Sequence, residues 1–273
     1  MTLTILPELI QGTPEWHDQR RGLVTASVVG HLIAAGPPDA LTVACTSCEA
    51  EKDSPCLSRT HKTPTPVKTI HDARRRVAAK MPDVLSVAEN DTSRGLTALL
   101  VAERITGWTD PTFQSYDMMR GVECEPIARD YYSGHHQQAV EVGFMLREED
   151  GWTLGYSPDG LVGDDGLIEV KSPRAKTHLR TILADQVPPE YMPQLQAGLL
   201  VSGRAWIDFV SFVGGMPLWV KRVQPDSRWF DAIVAAATKF ETTAAEMTAA
   251  YQKKTQGLPM TERLALDNLG LVF

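Results

Sequence analysis

Apolar and polar residues recur along this chain with two periods, and together they predict an α/β protein. Helical spacing appears in Val28, Val29, Leu32 and Ile33, predicting a helix over Ala26–Ala35 capped by Thr25. It recurs in Leu96, Leu99, Leu100 and Ile105 ahead of Gly107, and in Phe230, Ile233, Val234, Ala237, Phe240 and Met247 along a long Ala-rich stretch, Ser227–Tyr251. Thr13–Arg21 predicts a short helix, with Thr13 as N-cap, Pro14 at the first helical position, Glu15 in the first turn and Gly22 ending it. Further helices are expected over Val67–Ala79, Asp117–Tyr132 with a kink at Pro126, Thr177–Asp185 and Glu190–Val201. β-branched and alternating runs predict strands at Val140–Leu146, Leu167–Lys171, Trp206–Val213 and Leu218–Val223. Residues 1–13 read as an extended lead-in, and the end from Gln256 carries little pattern.

Composition narrows the class. The 273 residues are enough for a substantial core, show no internal repeat, and contain neither a signal peptide nor a bilayer-length apolar run. A soluble, intracellular protein is expected. Four cysteines are too few for a disulfide scaffold, and Cys45, Cys48 and Cys56 cluster in one segment, which favours metal over cystine. The formal charge of -7 excludes a uniformly basic surface but not local basic patches beside a carboxylate-lined site.

The chemistry concentrates in Gly151–Pro173. A strand ends in a turn presenting Asp159, a Gly-rich hairpin follows, and the next strand carries Glu169 and Lys171. Alternation sends Ile168 and Val170 into a core and places Glu169 and Lys171 on the opposite face. Two carboxylates suit one or two Mg²⁺ or Mn²⁺ ions, and the amine is placed to orient or deprotonate the attacking water. Near the N-terminus Arg20 and Ser27 flank a turn, where a guanidinium, hydroxyls and free helix N-terminal amides make a cradle for a terminal phosphate.

Pro158-Asp159 with Glu169-Val170-Lys171 is the signature of the PD-(D/E)XK nucleases. Four blocks in order resemble the phage lambda exonuclease and YqaJ-like viral recombinase family, from near the N-terminus to about Val223. They are Trp16-His17 with Arg20 to Ser27, Arg120-Gly121 with Glu125 and Ala128-Arg129, Ser157 to Gly160 with Glu169 to Lys171, and Tyr191 to Gln196. The resemblance implies that Asp159, Glu169, the carbonyl of Val170 and Glu125 bind the catalytic metal, with Lys171 and Gln194 beside it. It also implies that Arg20, Ser27 and Ser157 hold substrate, the first two at the 5′-phosphate, and that the subunits form a homo-oligomeric ring, a trimer, around DNA. Lys176, His178 and Arg180 are expected along the DNA path.

Residues 36–80 depart from that family. Cys45-Thr46-Ser47-Cys48 can grip a metal from a tight turn, Cys56 follows, and a histidine completes a Cys₃His zinc site. His71 is preferred over His61 because it stands near a helix start, whereas His61 lies in a Pro-rich loop. The segment resembles small zinc fingers of actinobacterial and phage proteins. From Cys45 to Lys80 it carries eight basic residues (Lys52, Arg59, Lys62, Lys68, Arg74, Arg75, Arg76, Lys80) against four acidic, which suggests contact with phosphate.

The expectation is therefore a restriction-endonuclease-like α/β core with a mixed central sheet flanked by helices, formed by 1–35 and 81–273, interrupted by a zinc-binding insertion at 36–80. Its expected function is that of a Mg²⁺-dependent 5′→3′ exonuclease on the ends of linear double-stranded DNA, leaving 3′ single-stranded tails for phage-type recombination. A single-strand annealing protein is the expected partner and the bacterial host cytoplasm the expected location, with no membrane association. The alternatives are an endonuclease or structure-selective nuclease on the same core, or a non-catalytic DNA-binding module.

Overall fold

A computed structural model of the chain describes residues 2–58, 63–110 and 115–263. His61, Arg59 and Lys62 lie outside the described residues. The chain divides into two compact units, 1–33 with 87–273, and 34–86.

In chain order the larger unit opens with β1 (Thr2–Leu6) and α1 (Pro14–Arg20), where Thr13 accepts a hydrogen bond from the Trp16 N–H. The smaller unit is bounded by β2 (Ile33–Gly36) and β3 (Val84–Val87), paired as a ribbon, and contains α2 (Asp72–Ala78). The larger unit continues with α3 (Asp91–Thr106), α4 (Tyr116–His135), β4 (Ala139–Val140), β5 (Phe144–Glu149), β6 (Trp152–Tyr156), β7 (Gly160–Val162) and β8 (Gly166–Lys171). It ends with α5 (Ala175–Ala184), α6 (Met192–Ser202), β9 (Trp206–Ser211), β10 (Trp219–Val223) and α7 (Ser227–Thr255).

Its strands make a mixed five-stranded sheet, β10-β9-β8-β7-β4, in which only β8 and β9 run parallel, and an antiparallel three-stranded sheet, β1-β5-β6. The central strands are buried on both faces. Leu167 on β8 joins the main core with α3, α6 and α7, whereas Ile168 and Val170 pack with Ala128 and Tyr132 of α4. The mixed sheet flanked by helices is the architecture the sequence predicts.

Several expectations need correction. The lead-in is a strand, β1, on the edge of the small sheet. The strand expected over Val140–Leu146 is two strands in different sheets. The chain breaks at Gly143, where a Cβ would lie 2.2 Å from the Leu6 carbonyl oxygen. The helix expected over Ala26–Ala35 is absent, because its first residues are already paired. Gly155 donates to the Val24 carbonyl and accepts from the Ala26 N–H, so this stretch lies beside β6. A short 3₁₀ turn, Val29–Leu32, follows, and Val29 and Leu32 still turn inward. His178 is fully buried, its ring bonded to Ser211 Oγ and the Pro217 carbonyl, so it ties α5 to β9 and is withdrawn from any DNA path. Lys176 and Arg180 remain exposed.

Candidate active site and metal centre

Asp159 stands between β6 and β7, and its position is fixed by the next hairpin strand. Its Oδ2 accepts the Val170 N–H at 2.6 Å, so the carboxylate clasps β8 where Glu169 and Lys171 project. The expected shared face is correct, but it is buried: Glu169 is 1 % exposed and Asp159 7 %. Lys171 Nζ lies 2.6 Å from Glu169 Oε1, and the Gln194 amide on α6 donates to the same oxygen. Tyr156 donates to the other oxygen, Oε2, at 3.4 Å. Glu125 on α4 lines the same cavity, its Oε1 held at 2.7 Å by Arg129 one helical turn on.

Burial raises the Asp159 carboxyl well above the ordinary range, and the charges of Glu169 and Glu125 add to this. Burial raises Glu125 too, opposed by Arg129 and reinforced by Glu169. For Lys171 burial acts downward, but Glu169 and Asp159 outweigh it and hold the ammonium above its usual value. A buried cluster of hard oxygen donors with excess negative charge fits a divalent cation. Asp159, Glu169, Glu125 and Val170 all line this cavity of about 730 Å³.

The same cavity contains Arg20, Ser27 and Ser157. Arg20 lies 3.2 Å from Ser27 Oγ and 3.4 Å from Thr25 Oγ1, and its guanidinium stacks 4.0 Å over the Trp16 ring. Trp16 Nε1 in turn donates to Ser157 Oγ at 2.8 Å. Burial lowers the Arg20 pKa to about 10, and no carboxylate pairs with it among the described residues. The cradle uses hydroxyls and a guanidinium, without the helix N-terminus expected there. The sequence reading also missed the roles of Tyr156, Thr25 and Arg129. Their partners are near in sequence, but which side chains meet depends on how α1, α4 and the β6–β8 hairpin pack, and only the apolar alternation Trp152, Leu154, Tyr156 signalled that Tyr156 points inward.

In the smaller unit the ligand atoms of Cys45, Cys48, Cys56 and His71 lie within 4.8 Å of one another. Cys45 and Cys56 are buried, and His71 Nδ1 is 3.5 Å from Cys45 Sγ. Burial opposes ionisation of Cys48, but the backbone N–H groups of Leu57 and Ala50 with the neighbouring side chains bring its thiol to about 6. Three convergent sulfurs and an imidazole, one sulfur prepared as thiolate, fit tetrahedral zinc. Arg74, counted above among the phosphate-facing cations, is fully buried. Its guanidinium donates to the carbonyls of Val43, Ser54, Leu41 and Glu51. It is a structural residue, unlike Arg75, Arg76 and Lys80, which are exposed.

Among the described residues no helix is long and apolar enough to cross a membrane. No curated protein matches the chain. Among solved structures it is similar to an alkaline exonuclease, LHK-Exo, from Laribacter hongkongensis, at 26% identity over 90% of this chain and 100% of that one, with a TM-score of 0.65. The structure of LHK-Exo in complex with dAMP matches at 27% identity over the same shares, with a TM-score of 0.62. Residues 13–90 match the putative DNA-binding phage zinc finger domain. Residues 71–205, which contain Glu125, Asp159, Glu169, Lys171 and Gln194, match the YqaJ-like viral recombinase domain.

Proposed function

We propose that this protein is a divalent-metal-dependent DNA exonuclease that degrades linear duplex DNA from its 5′ ends and leaves 3′ single strands for recombination. The observation that carries this is one cavity joining a buried carboxylate cluster to a guanidinium and hydroxyl cradle whose cation has no carboxylate partner among the described residues. A half-buried guanidinium without a carboxylate partner calls for an anion, and a terminal phosphate meets that need while presenting the next phosphodiester to the carboxylates.

Asp159, Glu169, Glu125 and the carbonyl of Val170 would hold Mg²⁺ or Mn²⁺, one or two ions. When bound, the metal supplies Lewis acidity that offsets charge developing on the scissile phosphate. Gln194 and Tyr156 fix both oxygens of Glu169, so this carboxylate is oriented before substrate arrives. Lys171, protonated beside Glu169, acts as a donor that orients the attacking water and steadies the phosphate. Arg20 and Ser27 hold the terminal 5′-phosphate, with Thr25 bridging them and Trp16 stacking on the guanidinium.

Within the proposal, the segment expected at 36–80 is a zinc module inserted in the nuclease domain. The chain assembles as a homo-oligomer, a trimer by family resemblance, and hands its product to a single-strand annealing protein. The test uses end-labelled linear duplex against closed circular DNA, with Mg²⁺ or EDTA. Loss of linear DNA only, dependent on Mg²⁺, is expected, with the 5′ label released first. Cutting of the closed circle would instead assign an endonuclease on the same core.

A further inference from the structure

Arg74 has an unusual environment. It is 0 % exposed, and a buried charge survives only when paired and hydrogen-bonded. No carboxylate among the described residues reaches it. Four backbone carbonyls saturate most of its N–H groups, with distances from 2.6 to 3.0 Å, yet neutral dipoles do not cancel a full charge. The remaining contact is Nη1 to Cys56 Sγ at 3.7 Å, within the Cys45, Cys48, Cys56 and His71 cluster.

The charges then balance in a simple way. Three thiolates and a neutral imidazole around Zn²⁺ form an anion, because three negative charges exceed the two of the metal. We infer that Arg74 is the buried counter-ion of the zinc-thiolate centre, neutralising it through Cys56 while its other N–H groups tie together the loop from Leu41 to Ser54. Partners of this kind keep a metal in place by stabilising the charged form of its ligands. Sequence position agrees: Arg74 follows His71 by three residues and so lies one helical turn beyond that ligand, on the side of α2 turned into the knuckle. Arg75 and Arg76 on either face of the same helix are exposed.

The inference rests on the zinc assignment, and the experiment separates the two. Full-length protein loaded with zinc is challenged with a chelating dye, and zinc release is followed for wild type, Arg74→Met, Arg74→Lys and the exposed control Arg75→Met. Arg74→Met should release zinc about tenfold faster or more, the scale of lost partners around a metal, and Arg75→Met should match wild type. Arg74→Lys cannot satisfy four carbonyls but keeps the charge, and because the charge is what the centre needs its release should stay much closer to wild type than to Arg74→Met. Cobalt substitution adds a readout that packing alone does not move. The thiolate-to-cobalt absorption band should shift to longer wavelength in Arg74→Met and be largely restored in Arg74→Lys. Should Arg74→Met hold no metal at all, the lysine variant decides: near-wild-type retention supports the counter-ion. Release from Arg74→Lys as fast as from Arg74→Met, or a band unmoved in both, would overturn it. Wild-type protein without zinc would overturn the zinc assignment as well.

Discussion

Glu169 receives Lys171 and Gln194 on one oxygen and Tyr156 on the other, while Asp159 has a single strong partner, the Val170 N–H. The two carboxylates should therefore fail differently. Asp159→Ala should abolish cleavage and metal binding while leaving the fold intact. Glu169→Ala should abolish cleavage too, but it also leaves the half-buried Lys171 ammonium without its nearest carboxylate, so its Tm should fall further. Lys171→Ala should keep the metal and lose about 10²–10⁴-fold in turnover, the range of a positioned proton-handling group. Isothermal titration with Mn²⁺ beside a nuclease assay separates these outcomes, and full activity in Asp159→Ala would sink the site. A linkage prediction follows from the raised carboxyls. Burial and the charges of Glu169 and Glu125 raise Asp159 in the metal-free fold, whereas the unfolded chain titrates near about 3.9. Between those values the folded state binds more protons, so metal-free stability falls as pH rises. The rise in Tm on adding Mg²⁺ should then grow as pH climbs above the unfolded-chain value, and Asp159→Asn should flatten that growth. A Mg²⁺ shift independent of pH in wild type contradicts the shared site. Asp159, Glu169 and Lys171 were legible because strand alternation and a tight spacing place them together. Arg74 was misread because a charge run in sequence says nothing about which member turns inward.

Among the elements, α6 carries the tightest constraint on the site. Gly198 faces Tyr156, and a Cβ there would lie 2.7 Å from the Tyr156 Cζ and 3.1 Å from its hydroxyl oxygen. Gly198→Ala must push α6 away from β6, and both Tyr156 and Gln194 would then lose their hold on Glu169. The expected result is a loss of about 1–3 kcal/mol in stability, typical of overpacking, with a lower kcat. The preference for phosphorylated ends should persist, because Arg20 and Ser27 lie on other segments. Unchanged kcat and Tm would show that Tyr156 is not a fixed support. Conversely, wild type should degrade 5′-phosphorylated ends faster than 5′-hydroxyl ends, and Arg20→Ala should erase the difference, since a charge-assisted contact is lost. Equal rates on both ends in wild type would refute the cradle. Helices with an apolar stripe, α3 and α7, or with clean end signals, α1, were legible. The 24–36 stretch was not, because its helical spacing was overridden by pairing of Val24 and Ala26 with Gly155, some 130 residues away. Strand breaks such as Gly143 escape for the same reason: the carbonyl that forbids a side chain there belongs to β1.

For the whole molecule, the overall charge of -7 conceals a divided distribution, with an excess of basic residues from Cys45 to Lys80. The burial of Arg74 as a structural cation leaves Arg75, Arg76 and Lys80 as the exposed group on and just beyond α2, where Arg76 and Lys80 line a shallow hollow with Thr46. Under the proposed function these three residues would supply a second contact to phosphate, a reading that the match to a putative DNA-binding phage zinc finger domain supports. A contact of this kind displaces counterions and reads no sequence. Replacing all three by Ala should weaken duplex binding and flatten the dependence of log K on log salt by roughly 0.9 for each phosphate contact removed. The loss should fall on KM, with the cleavage products and their 5′ label order unaltered, and it should be independent of DNA sequence. Adding Arg74→Ala to the triple variant should instead release zinc, which separates the two roles within one helix. Binding measured by fluorescence anisotropy on one duplex, from low to moderate salt, decides the matter. A triple variant whose salt slope equals that of wild type would mean that the basic face of α2 serves something other than DNA.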